Sequence, residues 1–221
     1  MTPNNKIYKL QKHKNINMHP SDLNGSLDDC FIFIDAGFLS KLSRYFGAGK
    51  YLVYDMIKFS ENLAKKEELN CKKIFYYTAP PFQSNNPSRE EKLRKDRYDT
   101  FIKKLRENSK IEIREGQCQR IMNKNGKTKY SQKAVDTLMI IDLMSIPIKY
   151  PNIKKIIMIG SDSDFVPAVN NLRELGMEII LFTYFTKKRD TNFSRSTHLM
   201  NAVNRYVRIK KEDFENVPLD K

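Results

Sequence analysis

Two short apolar runs in this chain stop at the same kind of punctuation. Ile156-Ile157-Met158-Ile159 ends at Gly160 and leads into Ser161-Asp162-Ser163-Asp164. Phe31-Ile32-Phe33-Ile34 ends at Asp35-Ala36-Gly37. A brief apolar run bounded by turn formers reads as a strand buried on both faces. After the first run, Val166, Val169, Leu172 and Leu175 recur at helical spacing, and Gly176 stands where that helix would stop. Buried strands that pass directly into helices build a parallel sheet covered on both faces. The carboxylates therefore fall at the carboxyl ends of strands, and the crevice there is where open α/β sheets bind their ligands.

The rest of the chain repeats the unit. Lys73–Thr78 is an expected strand stopped by Ala79-Pro80-Pro81, and Ile111–Arg114 a half-exposed one. Met177–Phe182 and Tyr206–Ile209 complete the set. Helical spacing predicts helices over Asp55–Lys66, with Asp55 as cap, over Ser88–Glu107, and over Ser194–Asn204. Gln117 to Ser131 is polar and basic with Asn125-Gly126 as a turn, and reads as a hairpin beside the crevice. Alternation of strand and helix implies right-handed crossovers and one mainly parallel sheet.

One further helix is unusual. Ser131 to Ile146, closed by Pro147, is apolar on nearly every side and is expected to be largely buried, yet it contains Asp136 and Asp142. At 100° per residue those two lie about 120° apart, so they need not share a site. Asp136, in the first turn, suits either a metal or the helix dipole. Asp142 suits support from behind the site or a pairing with a lysine.

If the two carboxylate-ended strands are neighbours, Asp35, Asp162 and Asp164 share a crevice. Clustered carboxylates repel one another unless a cation lies between them, and hard oxygen donors suit Mg²⁺ or Mn²⁺. Taken singly, each is also a good helix cap.

At 221 residues the chain is expected to be one large domain, residues 29–210, with a flexible basic extension over 1–28 and a frayed charged tail over 211–221. Its formal charge of +14 points to a polyanionic partner. Arg89 and Lys92 on the long helix, and Lys129 and Lys133 around the hairpin, are the candidate contacts. Tyr76, Tyr77, Phe82 and Tyr184 lie at strand ends, where aromatic rings either stack bases or fill the core. No apolar run approaches the ~20 residues that span a bilayer, and the basic N-terminus lacks the apolar stretch of a secretory signal. Cys30, Cys71 and Cys118 form no CxxC pair, so reduced thiols and a cytoplasmic location are expected. The three histidines are too scattered for a histidine metal site.

Ile34-Asp35-Ala36-Gly37, Lys133-Ala134-Val135-Asp136 and Gly160-Ser161-Asp162-Ser163-Asp164-Phe165-Val166-Pro167 together resemble the NYN domain family, a branch of the PIN-like metal-dependent ribonucleases. Tyr76–Pro81 and Asn171–Gly176 are similar to it as well. The resemblance covers about residues 31–209. It implies an α/β, PIN-like three-layer sandwich: a central, mostly parallel sheet flanked by helices. It implies that Asp35, Asp136, Asp162 and Asp164 are the catalytic, Mg²⁺- or Mn²⁺-binding carboxylates, supported by Ser161 and Asp142. Many members carry Asn three residues after the first Asp, where this chain has Phe38. The expected activity is metal-dependent endoribonucleolytic cleavage, with single-stranded RNA as partner and a second copy or a regulatory protein left open. A non-catalytic RNA-binding scaffold, or a phosphatase using the same acidic site, are the alternatives.

Overall fold

The computed structural model describes residues 27–122, 128–186, 193 and 196–219. Eight strands and seven helices run in the order β1 (Asp28–Asp35), α1 (Ala36–Phe46), α2 (Met56–Lys66), β2 (Leu69–Thr78), α3 (Arg89–Arg106), β3 (Ile111–Glu115), β4 (Gln117–Met122), β5 (Thr128–Lys133), α4 (Val135–Lys149), β6 (Lys155–Ile159), α5 (Val166–Glu174), β7 (Glu178–Thr183), α6 (Thr197–Ala202), β8 (Arg205–Arg208) and α7 (Lys211–Glu215), among the described residues. A single 3₁₀ turn, Ser163–Phe165, precedes α5.

Six strands form one sheet in the order β3-β2-β1-β6-β7-β8, and every pairing in it is parallel. The expected α/β sandwich with a parallel centre is what the chain adopts. Alternate residues of each strand feed opposite cores. Ile32, Ile34, Ile74, Tyr76, Ile157 and Ile159 face the layer of α1, α2, α3 and α7. Phe31, Phe33, Phe75, Tyr77, Ile156 and Met158 face α4, α5 and α6. The chain leaves β1 toward β2 and β3, then returns to the other side of β1 through β6. The switch in direction thus falls between β1 and β6, the place where such sheets open a crevice.

Local chemistry sets the element ends. Asp55 caps α2 through the Ile57 and Lys58 N–H groups, both at 2.9 Å. Ser88 and Glu91 cap α3 reciprocally. Gly176 takes φ +79° just past α5, a conformation that favours glycine. Cys30 and Cys71 are neighbours across β1 and β2 as free buried thiols. Burial pushes each up to about 12, so they are packing residues and not nucleophiles.

Three expectations are corrected. The fourth helix begins at Val135, since Ser131–Lys133 belong to the ribbon strand β5, and it runs through Pro147 to Lys149. Nor is it buried all round. Val135, Met139, Leu143 and Ile146 face the core, whereas Ile141 is exposed and Ile148 is 84% exposed, because no described helix covers that outer stripe. The C-terminal segment is not frayed as far as Leu219. Phe214 and Val217 are buried against α2, with Phe214 packed on Phe59 and Tyr54 at 4.7 and 4.9 Å between ring centroids. The Asp55 N–H also donates to the Val217 carbonyl at 2.8 Å. Of the expected extension over residues 1–28, Asp28 belongs to β1 and residues 1–26 lie outside the described residues, as does the Asn125-Gly126 turn. No described helix is long and apolar enough to cross a membrane.

Candidate active site

The carboxyl ends of β1 and β6 are in contact. Ile34 pairs with Ile159 in register, and a methyl group at Gly160 would meet the Asp35 Cβ at 3.6 Å. Asp35 is both the last residue of β1 and the N-cap of α1. Its Oδ1 accepts the Phe38 N–H at 3.1 Å. Asp162 does the same after β6, accepting the Asp164 N–H at 3.0 Å at the start of the 3₁₀ turn. A strand that must turn at once into a helix needs a side-chain acceptor there, so both carboxylates are held at the sheet edge. Ser161 is half-buried between the strand end and Asp162.

Asp136 arrives from the other side of the ribbon formed by β4 and β5. A methyl group at Gly116 would lie 2.4 Å from the Lys133 carbonyl oxygen, so only glycine fits where the base of the ribbon closes. Ala134 then takes φ +65°, a left-handed turn that costs a non-glycine residue roughly 1–2 kcal/mol. It delivers Asp136 to the first turn of α4.

The four aspartates share one electrostatic neighbourhood, with Asp136 at its centre. Partial burial, then the charges of Asp162 and Asp164, hold Asp136 above the usual carboxylate range. Although its surface is exposed, surrounding protein removes part of its hydration. Burial raises Asp35 too. The Phe38 N–H opposes that rise, and the Asp136 charge adds to it. Lys41, on α1, tempers both. Such a field favours a cation at the edge, and an all-carboxylate donor set fits Mg²⁺ or Mn²⁺ better than Zn²⁺. The set is open and not a closed cage: among the described residues, no group of three or more His, Cys, Asp or Glu is drawn together tightly enough to hold an ion.

Asp142 is not part of this set. It is buried and accepts from the Tyr77 hydroxyl at 3.0 Å and from Arg114 Nε and Nη2 at 2.7 and 3.1 Å. Its partner is an arginine of β3, not the lysine considered above. It ties α4 to β2 and β3, and so fixes the helix that carries Asp136. Arg89 and Lys92 are exposed in the first turn of α3. Lys129 and Lys133 pair with Ile121 and Gln117, on the opposite face of the ribbon from Arg120, Tyr130 and Gln132. Tyr76, Tyr77 and Tyr184 are buried, so they fill the core and do not stack bases; Phe82 alone of the four is half-buried. Phe38 is buried too, with its ring against Phe193, so that position offers only its backbone N–H.

Two residues at the edge escaped sequence reasoning. One is Lys41, which looks like any other helix lysine. The other is Gln132, whose Oε1 would lie 3.5 Å from a methyl group on Gly37. A period-two reading of Tyr130-Ser131-Gln132 as strand would have found the latter.

The NYN domain profile matches residues 30–210. Among solved structures, a protein of unknown function from Vibrio parahaemolyticus is similar, at 16% identity and a TM-score of 0.54, over 85% of this chain and 95% of that one. That likeness bears on the fold alone. No curated protein matches this chain.

Proposed function

Because the chain belongs to the NYN domain family, we propose that it is a metal-dependent endoribonuclease. The observation that supports this is that Asp35 and Asp162 stand at the adjacent ends of β1 and β6, with Asp136 in electrostatic reach of Asp35, Asp162 and Asp164. These four residues would hold Mg²⁺ or Mn²⁺; when bound, the ion polarises the scissile phosphodiester, lowers the pKa of an attacking water and stabilises the leaving oxygen.

The chain's own groups do the rest. The Phe38 and Asp164 N–H groups keep the Asp35 and Asp162 carboxylates aimed along the edge. Asp136, partly buried and facing the charges of both Asp162 and Asp164, is a group whose repulsion a bound cation would relieve. Lys41 supplies a compact positive charge at the same edge and can donate to an RNA phosphate. Arg89 and Lys92, with Lys129 and Lys133 on the far face of the ribbon, add positive charge that favours RNA through counterion release, with no base preference of their own. The +14 charge favours RNA over a small phosphoester as the substrate.

The test is incubation of the full chain with labelled single-stranded RNA, and separately with p-nitrophenyl phosphate, in Mn²⁺, Mg²⁺ or chelator. RNA cleavage that needs metal, without turnover of the small ester, is expected. Turnover of the ester alone would make the protein a phosphatase. RNA binding without cleavage in either metal would make it a scaffold.

A further inference from the structure

We propose that Phe82 and Tyr130, flanked by Arg94 and Arg120, form a subsite that stacks a base of single-stranded RNA beside the acidic edge. This rests on the nuclease reading for its substrate class, and on separate geometry for its place.

Four elements meet at the subsite. Tyr130 projects from β5 and is 44% exposed. Its ring lies 5.9 Å from Phe82 of the loop after β2, tilted by 40°. The Arg94 guanidinium, from α3, lies 5.8 Å from the Tyr130 ring, and the Arg120 guanidinium, from β4, lies 5.3 Å from the Phe82 ring. Solvent-accessible rings, each paired with a guanidinium, offer the planar surfaces and positive charge that unpaired bases and their phosphates use. A core would instead bury the rings.

The platform is also rigid. Glu91, buried in the first turn of α3, accepts from the Ser84 hydroxyl at 2.8 Å and from the Ser88 N–H at 2.9 Å, while Gln83 donates to the Glu91 carbonyl at 2.7 Å. These bonds fix the loop that holds Phe82. On the other side, Arg120 and Tyr130 are directly paired across the ribbon.

Its place relative to the carboxylates follows from the register. Tyr130 and Gln132 share one face of β5, separated by two strand residues, or about 6.7 Å. Gln132 reaches Gly37, where a methyl group would touch both its Oε1 at 3.5 Å and the Asp35 Oδ1 at 3.1 Å. The stacked base thus lies on the face of the ribbon that Gln132 turns toward Gly37 and Asp35. A base inside a duplex has no free face to offer, so the subsite selects single strands.

The experiment is fluorescence binding of a short single-stranded RNA containing one 2-aminopurine to the full chain in chelator, where no cleavage interferes. Quenching of the 2-aminopurine on binding is expected. Tyr130→Ala should weaken binding about 5- to 100-fold and abolish the quenching, while Tyr130→Phe retains both. Affinity for duplex RNA should be unchanged by either substitution. Equal quenching and affinity in wild type and Tyr130→Ala would overturn the subsite, as would an equal loss of duplex binding. Because the readout needs no turnover, absence of cleavage in the wild type would remove the nuclease reading and leave this result standing.

Discussion

Replacing Arg114 with methionine tests what Asp142 is for. The Asp142 side chain is 9% exposed, and its one charged partner among the described residues is Arg114, itself 34% exposed. The substitution leaves a carboxylate in the core with one hydroxyl donor, Tyr77. Breaking a buried pair from one side costs ~3–5 kcal/mol. Arg114 is partly wet, so the lower end applies, about 3 kcal/mol. For a chain of this size that lowers Tm by roughly 6–12 °C. Adding Asp142→Leu and Tyr77→Phe removes the stranded charge and the orphaned hydroxyl together, and should restore most of the loss. The assay is urea unfolding of wild type, the single variant and the triple variant. A single variant within 0.5 kcal/mol of wild type would refute the reasoning, as would a triple variant no more stable than the single. The functional corollary is that Asp142→Asn loses stability while the folded fraction keeps its RNA cleavage.

The raised pKa values of Asp35 and Asp136 give a second test. A carboxylate held above its ordinary value binds protons in the folded chain that the unfolded chain has released. Without metal, its contribution to stability is therefore largest below the ordinary Asp pKa of ~3.9 and declines as pH rises through the raised value. Asp136→Asn should flatten this decline and melt higher than wild type at neutral pH in chelator; a lower Tm would contradict the like-charge account. Mn²⁺, measured by thermal shift, should stabilise the wild type increasingly as pH rises through that range and stabilise Asp136→Asn much less. At the C-terminus, Phe214→Ala should cost ~3–5 kcal/mol by emptying the contact with Phe59 and Tyr54. A loss below 1 kcal/mol would mean that α7 is an appendage after all.

The centre of the sheet was legible because β1, β2, β6 and β7 each hold a short apolar run buried on both faces, whereas the edge strands β3 and β8 are half-exposed. Strand-end aspartates were legible as well: Asp35 and Asp162 are caps, and caps occur where a strand passes into a helix. Other features depend on contacts that no local pattern encodes. Ala134 is a good helix former, so sequence alone hides its left-handed turn and extends α4 back to Ser131, four residues before its start at Val135. Pro147 looked like a stop, yet the helix passes through it, and the Tyr150 N–H still reaches the Ile146 carbonyl at 2.8 Å. Lys210–Leu219 is charged enough to look frayed, but two apolar residues, Phe214 and Val217, suffice to dock it. Asp142 was the hardest to place, because its partner lies 28 residues away on another strand. A spacing argument could separate it from Asp136 but could not find Arg114.

The central claim is that Asp35, Asp136, Asp162 and Asp164 act as one centre. Its most direct test is the rate of single-stranded RNA cleavage in Mn²⁺ for the wild type and for each of the four Asp→Asn variants. Each variant should remain folded by circular dichroism and lose cleavage by 100-fold or more, roughly the scale of removing a charged group that acts in the transition state. Cleavage at the wild-type rate in Asp136→Asn or Asp162→Asn would contradict the account and move the chemistry elsewhere.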